Sequence, residues 1–235
     1  MLDWDKLSRE EMEAMAEAGH QVLNCYRVLT KSGDNIIGEV LKGQGTFYEM
    51  DHYPPGDIYD PESHSQYYYH AHRGGEHGHF HTFLRSEGME AEINPIKDQS
   101  DQDYMQERED QICHLVAISM DSKGFPTSLF TTNRWVTAEN WYSAEGAIKC
   151  LDRFEIDLVP PSWPVNIWLT SIIRLYRPII KNLILERDLK IASWQTKYPD
   201  RDVFEDRDLE VTSEIALSVE EYLKEIESHL LKKRA

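Results

Sequence analysis

Basic side chains are scarce in this sequence. Lysine and arginine number 25 against 42 aspartates and glutamates, a formal net charge of −17 over 235 residues. Nucleic acid and anionic membrane surfaces both reward an excess of Lys and Arg, so neither is an expected partner. Cysteine is scarce as well. Cys25, Cys113 and Cys150 form an odd, widely spaced set with no CxxC pair, which is no disulfide framework and fits a reducing cytoplasm. The opening Met-Leu-Asp-Trp-Asp-Lys has no basic region followed by an apolar one, so no secretory signal is expected. Long apolar runs are missing too. The most apolar stretch, 165–185, is broken by Asn166, Arg174, Arg177, Lys181 and Asn182, too many polar groups for an ordinary membrane span. There is no internal repeat. Gly43-Gln44-Gly45 lacks the later glycine and lysine of a phosphate loop, and no serine or cysteine stands in a recognisable nucleophile motif.

The chain does carry enough apolar residues, 40%, to bury a core over a length that suits one domain, 1–235. Ser8 and Glu11 form a capping box, with Leu7 and Met12 placed as its hydrophobic staple. Met12, Met15, Ala16, Gly19, Val22, Leu23, Tyr26 and Leu29 then follow at helical spacing, which predicts a helix over about 9–30 ending near Gly33. The region of about 45–135 reads as β structure. Tyr-Pro-Pro-Gly-Asp at 53–57 is loop chemistry. SQYYYHAHR (65–73) and HGHFHTFLR (77–85) read as two strands, and residues 98–110 as an acidic surface loop. Strands are predicted at about 112–120 and 125–135 around the turn Asp121-Ser122-Lys123-Gly124. Residues 137–233 read as helical. Thr137 is the predicted cap of a helix holding Trp141, Ile148 and Leu151, a longer helix carries Trp168 to Leu183, residues 198–210 form a charged linker, and Ser218 with Glu221 caps a last helix. The fold class is therefore α+β, a small antiparallel sheet in mid-chain between an N-terminal helix and a C-terminal helical region. Arg174, Arg177 and Lys181 make a basic stripe expected to pair with the chain's own acids. Arg85 is expected on the sheet face away from the imidazoles.

Histidine is the residue in surplus. Six of the ten, His64, His70, His72, His77, His79 and His81, fall between positions 64 and 81. Side chains alternate faces along a strand, so His70 and His72 share a face of one strand, and His77, His79 and His81 share a face of the next. A hairpin closed by residues 74–77 would set His72 opposite His79 and His70 opposite His81, with Cβ atoms about 5 Å apart. Four cationic imidazoles held that close would repel one another, and a divalent metal would hold them neutral. Imidazole is the commonest protein ligand for zinc, iron, copper and nickel. His70, His72, His79 and His81 are the expected ligands, with Glu76 or His77 completing the set or orienting a ligand. His114, on a neighbouring strand, could be a further ligand, and His52 beside Asp51 could approach the site. Tyr67, Tyr68, Tyr69, Phe80 and Phe83 read as core aromatics. A hydrogen-bonded His/Tyr network without metal remains the competing reading.

Three resemblances attach to these residues. His70-Ala71-His72-Arg73-Gly74-Gly75-Glu76 resembles the HxHxxxE core of the first cupin motif, which implies metal ligation by those histidines and the glutamate on a β-barrel; no second motif with its histidine accompanies it. His77-Gly78-His79-Phe80-His81 is similar to the histidine-triad signature, which would make His79 the nucleophile of a phosphate ester hydrolase. The longer string QYYYHAHRGGEHGHFHTFLR, with HLVAISMD and LFTTNRWVT, resembles an uncharacterised bacterial protein family, a domain of unknown function, and implies a cytoplasmic bacterial protein.

The leading expectation is a metal-binding protein holding Fe, Mn, Cu or Zn. As an enzyme it would be a non-haem oxygenase, hydrolase or isomerase acting on a small-molecule substrate, with a homo-oligomer possible. The alternatives are a non-catalytic metal carrier or sensor, the histidine-triad hydrolase, and an interaction protein switched by histidine protonation.

Overall fold

The computed structural model describes residues 2–72, 77–96 and 111–233. The first helix, α1 (Arg9–Lys31), starts at the capping box expected for it: the Ser8 hydroxyl accepts the Glu11 N–H and the Glu11 carboxylate accepts the Ser8 N–H. It stops at Ser32 and Gly33, the glycine at φ +72°. A short helix, α2 (Ile36–Leu41), follows under an Asn35 cap.

Six strands then build one antiparallel sheet in sequential order: β1 (Tyr53–Tyr59), β2 (Ser65–His70), β3 (Gly78–Arg85), β4 (Ile112–Met120), β5 (Pro126–Thr132) and β6 (Val211–Ala216). The helices α3 (Arg134–Thr137), α4 (Ala144–Leu151) and α5 (Trp163–Lys197) lie between β5 and β6, and α6 (Val219–Lys232) ends the order. The α+β class is as expected, and the Asp121–Gly124 turn closes β4 on β5 with Gly124 at φ +82°.

Four local expectations need correction. Tyr53–Asp57 is not a loop but most of β1. Its prolines can be accommodated because β1 is an edge strand, where a missing N–H costs no ladder bond, and its register breaks between Tyr53 and Ile58. Thr137 caps nothing: it closes the single turn of α3, and Ser143 caps α4 through the Gly146 N–H. The C-terminal region is not wholly helical, because Val211–Ala216 pairs with β5 as β6. The last helix has half a capping box: the Ser218 hydroxyl accepts the Glu221 N–H. The loop expected at 98–110 lies outside the described residues.

The sheet has two unlike faces. One packs on α5, where Phe80 meets Trp168 with ring centroids 5.6 Å apart and the Tyr67 hydroxyl donates to Asn166 Oδ1 at 2.7 Å. Behind it α1 crosses α5 and α6 closely at Gly19, where a Cβ would stand 2.9 Å from Leu223 Cδ1. Two members of the basic stripe of α5 pair as expected, Arg174 with Glu155 at 2.9 Å and Arg177 with Asp152. The other face carries the histidines. Arg85 belongs to that face too, against expectation: its guanidinium donates to Gln66 Oε1 at 2.7 Å and lies over the Tyr59 ring. Position 85 shares the parity of 79 and 81, and that parity sets the face.

Candidate metal centre

The β2–β3 pairing builds the site. His70 stands directly opposite His79, and Tyr68 opposite His81. This register is displaced by two residues from the expected one, so the connection is longer and His72 lies past the end of β2. A slip of two preserves which face each side chain takes. His70, His79 and His81 therefore still point to one side.

The pairing brings His70 Nε2 and His79 Nε2 to 2.7 Å. His72 joins them, with ring centroids 4.8 Å from His70 and 5.0 Å from His79. One ligand nitrogen from each of His70, His72 and His79 can be chosen so that all lie within 4.8 Å of one another. His70 and His79 are buried, while His72 is partly exposed and turns the group toward solvent.

His81 lies one ring deeper, its centroid 4.8 Å from His79 and 5.2 Å from His70. Its Nδ1 is 3.0 Å from His114 Nε2. A bulge decides that contact. Thr82 pairs with Val116 but Phe83 pairs with His114, so Leu115 is the extra residue and the strand changes facing beyond it. Without the bulge His114 would project toward α5. Instead it joins the column, with Nδ1 3.4 Å from Thr132 Oγ1 and its backbone N–H donating to Glu139 Oε2 at 2.6 Å.

Burial sets the charge state of this column. Desolvation first, then the neighbouring His79, His72 and His52, pushes His70 down to about 2. The same two causes hold His81 far below the ordinary histidine range. Desolvation and then Arg187 lower His114 to about 3. These rings are neutral near pH 7, and each then has one nitrogen with an available lone pair. His70 Nδ1 and His81 Nε2 are buried with no hydrogen-bond partner among the described residues. Glu139 is fully buried and pushed up to about 8 by desolvation.

The remaining histidines divide plainly. His77 is exposed at the hairpin, its N–H donating to Met120 O. His64 Nδ1 is 2.6 Å from the Tyr59 hydroxyl. Glu76 and Arg73 lie outside the described residues. His52 approaches the site from β1's side, stacked on Tyr68 at 3.6 Å and 5.5 Å from His70. Tyr68 sits within the column itself, against His70 and His81, whereas Tyr67, Tyr69 and Phe80 are core aromatics. Sequence reasoning did not single out Glu139 or Thr132. The signal for Glu139 was a lone acid between the apolar residues of Trp135-Val136 and Trp141.

The sequence profile of a domain of unknown function, DUF6969, matches residues 16–217. The chain belongs to the DUF6969 family. The matched span of the DUF6969 chain includes the whole sheet and every histidine of the column. No curated protein and no solved structure matches it. Among the described residues no helix is long and apolar enough to cross a membrane.

Proposed function

We propose that this DUF6969 protein binds a divalent transition metal, Fe, Mn, Cu or Zn, through His70, His72 and His79. One observation carries the reading: three imidazole nitrogens from two strands and the adjoining turn come within 4.8 Å of one another. The chemistry of the donor set fits a borderline metal, since it is made of imidazoles and no thiolate is among them. His81 is the candidate for an additional ligand from below, because its buried Nε2 has no partner among the described residues. Glu76 and His77 remain candidates from the hairpin side. Three protein ligands with a partly exposed member suit an open, catalytic type of site better than a closed structural one. A bound metal would supply Lewis acidity, polarising an oxygen of a small-molecule substrate.

The protein's own residues have separable parts in this reading. His70 and His79 are set opposite each other by the β2–β3 ladder, and the proton between their Nε2 atoms would leave when both bind the metal. His114 accepts or donates at His81 Nδ1 and so selects which His81 nitrogen carries the proton. The three free, buried cysteines are consistent with a reducing cytoplasm. A closed carrier site would need a fourth ligand comparable to the first three. A nucleophilic His79 would need access to phosphate, and at 0% exposure it has little. Metal analysis of untagged protein is the test. Close to one equivalent of one transition metal, as purified or after reconstitution, is expected; under a tenth of an equivalent overturns the reading.

A further inference from the structure

The chain between α2 and β1 forms a cleft of about 560 Å³ beside the histidine column, lined by Gln44, Thr46, Tyr48, Asp51, His52 and Tyr53. The segment is fastened to the site and to itself. The Met50 N–H donates to Ala71 O at 3.1 Å, next to His70 and His72. The Tyr48 N–H donates to the Tyr53 hydroxyl at 2.6 Å, and that hydroxyl donates to Thr46 O at 3.3 Å. His52 connects cleft and centre, since the ring that lines the cleft also stacks on Tyr68 and stands edge-on to His70.

Two independent features describe what would fill it. The first is exposed apolar surface. Tyr48 lines the cleft and is 61% exposed, and its sequence neighbours Phe47 and Met50 are 37% and 67% exposed beside it, apolar surface that water disfavours and that a ring laid on Tyr48 would begin to cover. The second is the sign of the polar groups. Asp51 brings a carboxylate, and no lysine or arginine lines the cleft among the described residues. His52 Nδ1 is 2.9 Å from Asp57 Oδ1. The cleft thus offers aromatic faces and hydrogen-bond acceptors, and it repels anions.

From this we infer that the cleft is the substrate site of the centre and that its ligand is a small aromatic amine. The ring would lie against Tyr48, and the amine would meet Asp51 with the tyrosine faces adding cation–π attraction. The inference rests on the metal reading above for the reactive end and on the cleft alone for the recognition end.

The two ends are separated by experiment. Benzylamine is titrated into the full chain, metal-free and Co²⁺-loaded, with benzoate as the anionic control, following backbone amides by NMR. Saturable shifts at residues 46–52 with benzylamine and none with benzoate are expected in both forms. Asp51→Asn should weaken benzylamine by about threefold, the size of an exposed ion pair, and Tyr48→Ala should weaken it too. Bound Co²⁺ should broaden the ring protons of benzylamine. Equal shifts from benzoate, or none at 46–52, overturn the ligand class. Binding without broadening by loaded Co²⁺ overturns the link to the centre. Failure of Co²⁺ to load would sink the metal reading, while the metal-free titration would still decide the cleft.

Discussion

His70 and His79 face each other across neighbouring strands with their Nε2 atoms 2.7 Å apart. At that distance one ring donates a proton and the other accepts it. The ladder therefore presents a ready pair of nitrogens whose spacing is set by backbone hydrogen bonds rather than by flexible side chains. His72 completes the group from just beyond the end of β2.

Direct and indirect members of the centre should differ in weight. His70→Ala and His79→Ala should each reduce metal affinity by more than the ~10–100-fold cost of losing an outer-shell partner. His114→Phe, which touches the centre only through His81, should cost ~10-fold or less. Competition against a chromophoric chelator measures all three. Equal affinities across the set would remove these residues from the centre.

Metal should also stabilise the fold, because the site exists only when β2 and β3 are paired. At a free concentration of 100 times Kd the gain is about 2.7 kcal/mol. For a chain of this size that is a rise in Tm of about 5–10 °C. Thermal scans with metal, and with metal plus a chelator, should differ by that amount. Coincident scans would show that no folded-state site is being filled.

Gly78 leads into His79, and it cannot carry a side chain. A Cβ there would stand 2.2 Å from the Tyr69 hydroxyl and 2.7 Å from the His70 carbonyl oxygen. The carbonyl cannot yield without disturbing the His70–His79 pairing. Gly78→Ala should therefore lower stability by roughly 1–3 kcal/mol and weaken metal uptake together. Denaturant unfolding and metal titration on the same preparation check it; unchanged uptake would mean that the strand pairing does not control the ligand spacing.

Glu139 and His114 should shape stability over opposite ranges of pH. Glu139 is raised from 4.5 to about 8 in the folded state. The folded form holds this proton more tightly, so the contribution is full below pH 4.5 and is lost as pH rises through 8. His114 is lowered from 6.5 to about 3, so its contribution is present above pH 6.5 and is lost as pH falls toward 3. Glu139→Gln should flatten the alkaline fall and leave the acid limb in place. Parallel stability curves for the two proteins between pH 5 and pH 9 would contradict the burial argument.

Much of this was legible without coordinates. The Ser8–Glu11 box and the periodic apolar stripe of α1 are local signals, satisfied within a few residues. The alternation of histidines at 70, 79 and 81 marks one sheet face because strand parity needs no tertiary information. Parity also survives a register slip of two, so the shared face was readable while the exact partners were not. β6 was hidden because six residues inside a helical region pair only with a distant β5, and β1 because its prolines look like a turn unless its edge position is known.

Composition and spacing by themselves determined the class of fold, the concentration of imidazoles and the acidic balance. The tertiary structure alone decided that His70 pairs with His79, that a bulge at Leu115 turns His114 into the column, and that His52 stacks beside it from the segment before β1. The reason is the range of the forces involved. Helix caps and strand alternation are fixed by neighbours along the chain, whereas register, bulges and face-to-face packing depend on residues that become neighbours only when the sheet closes.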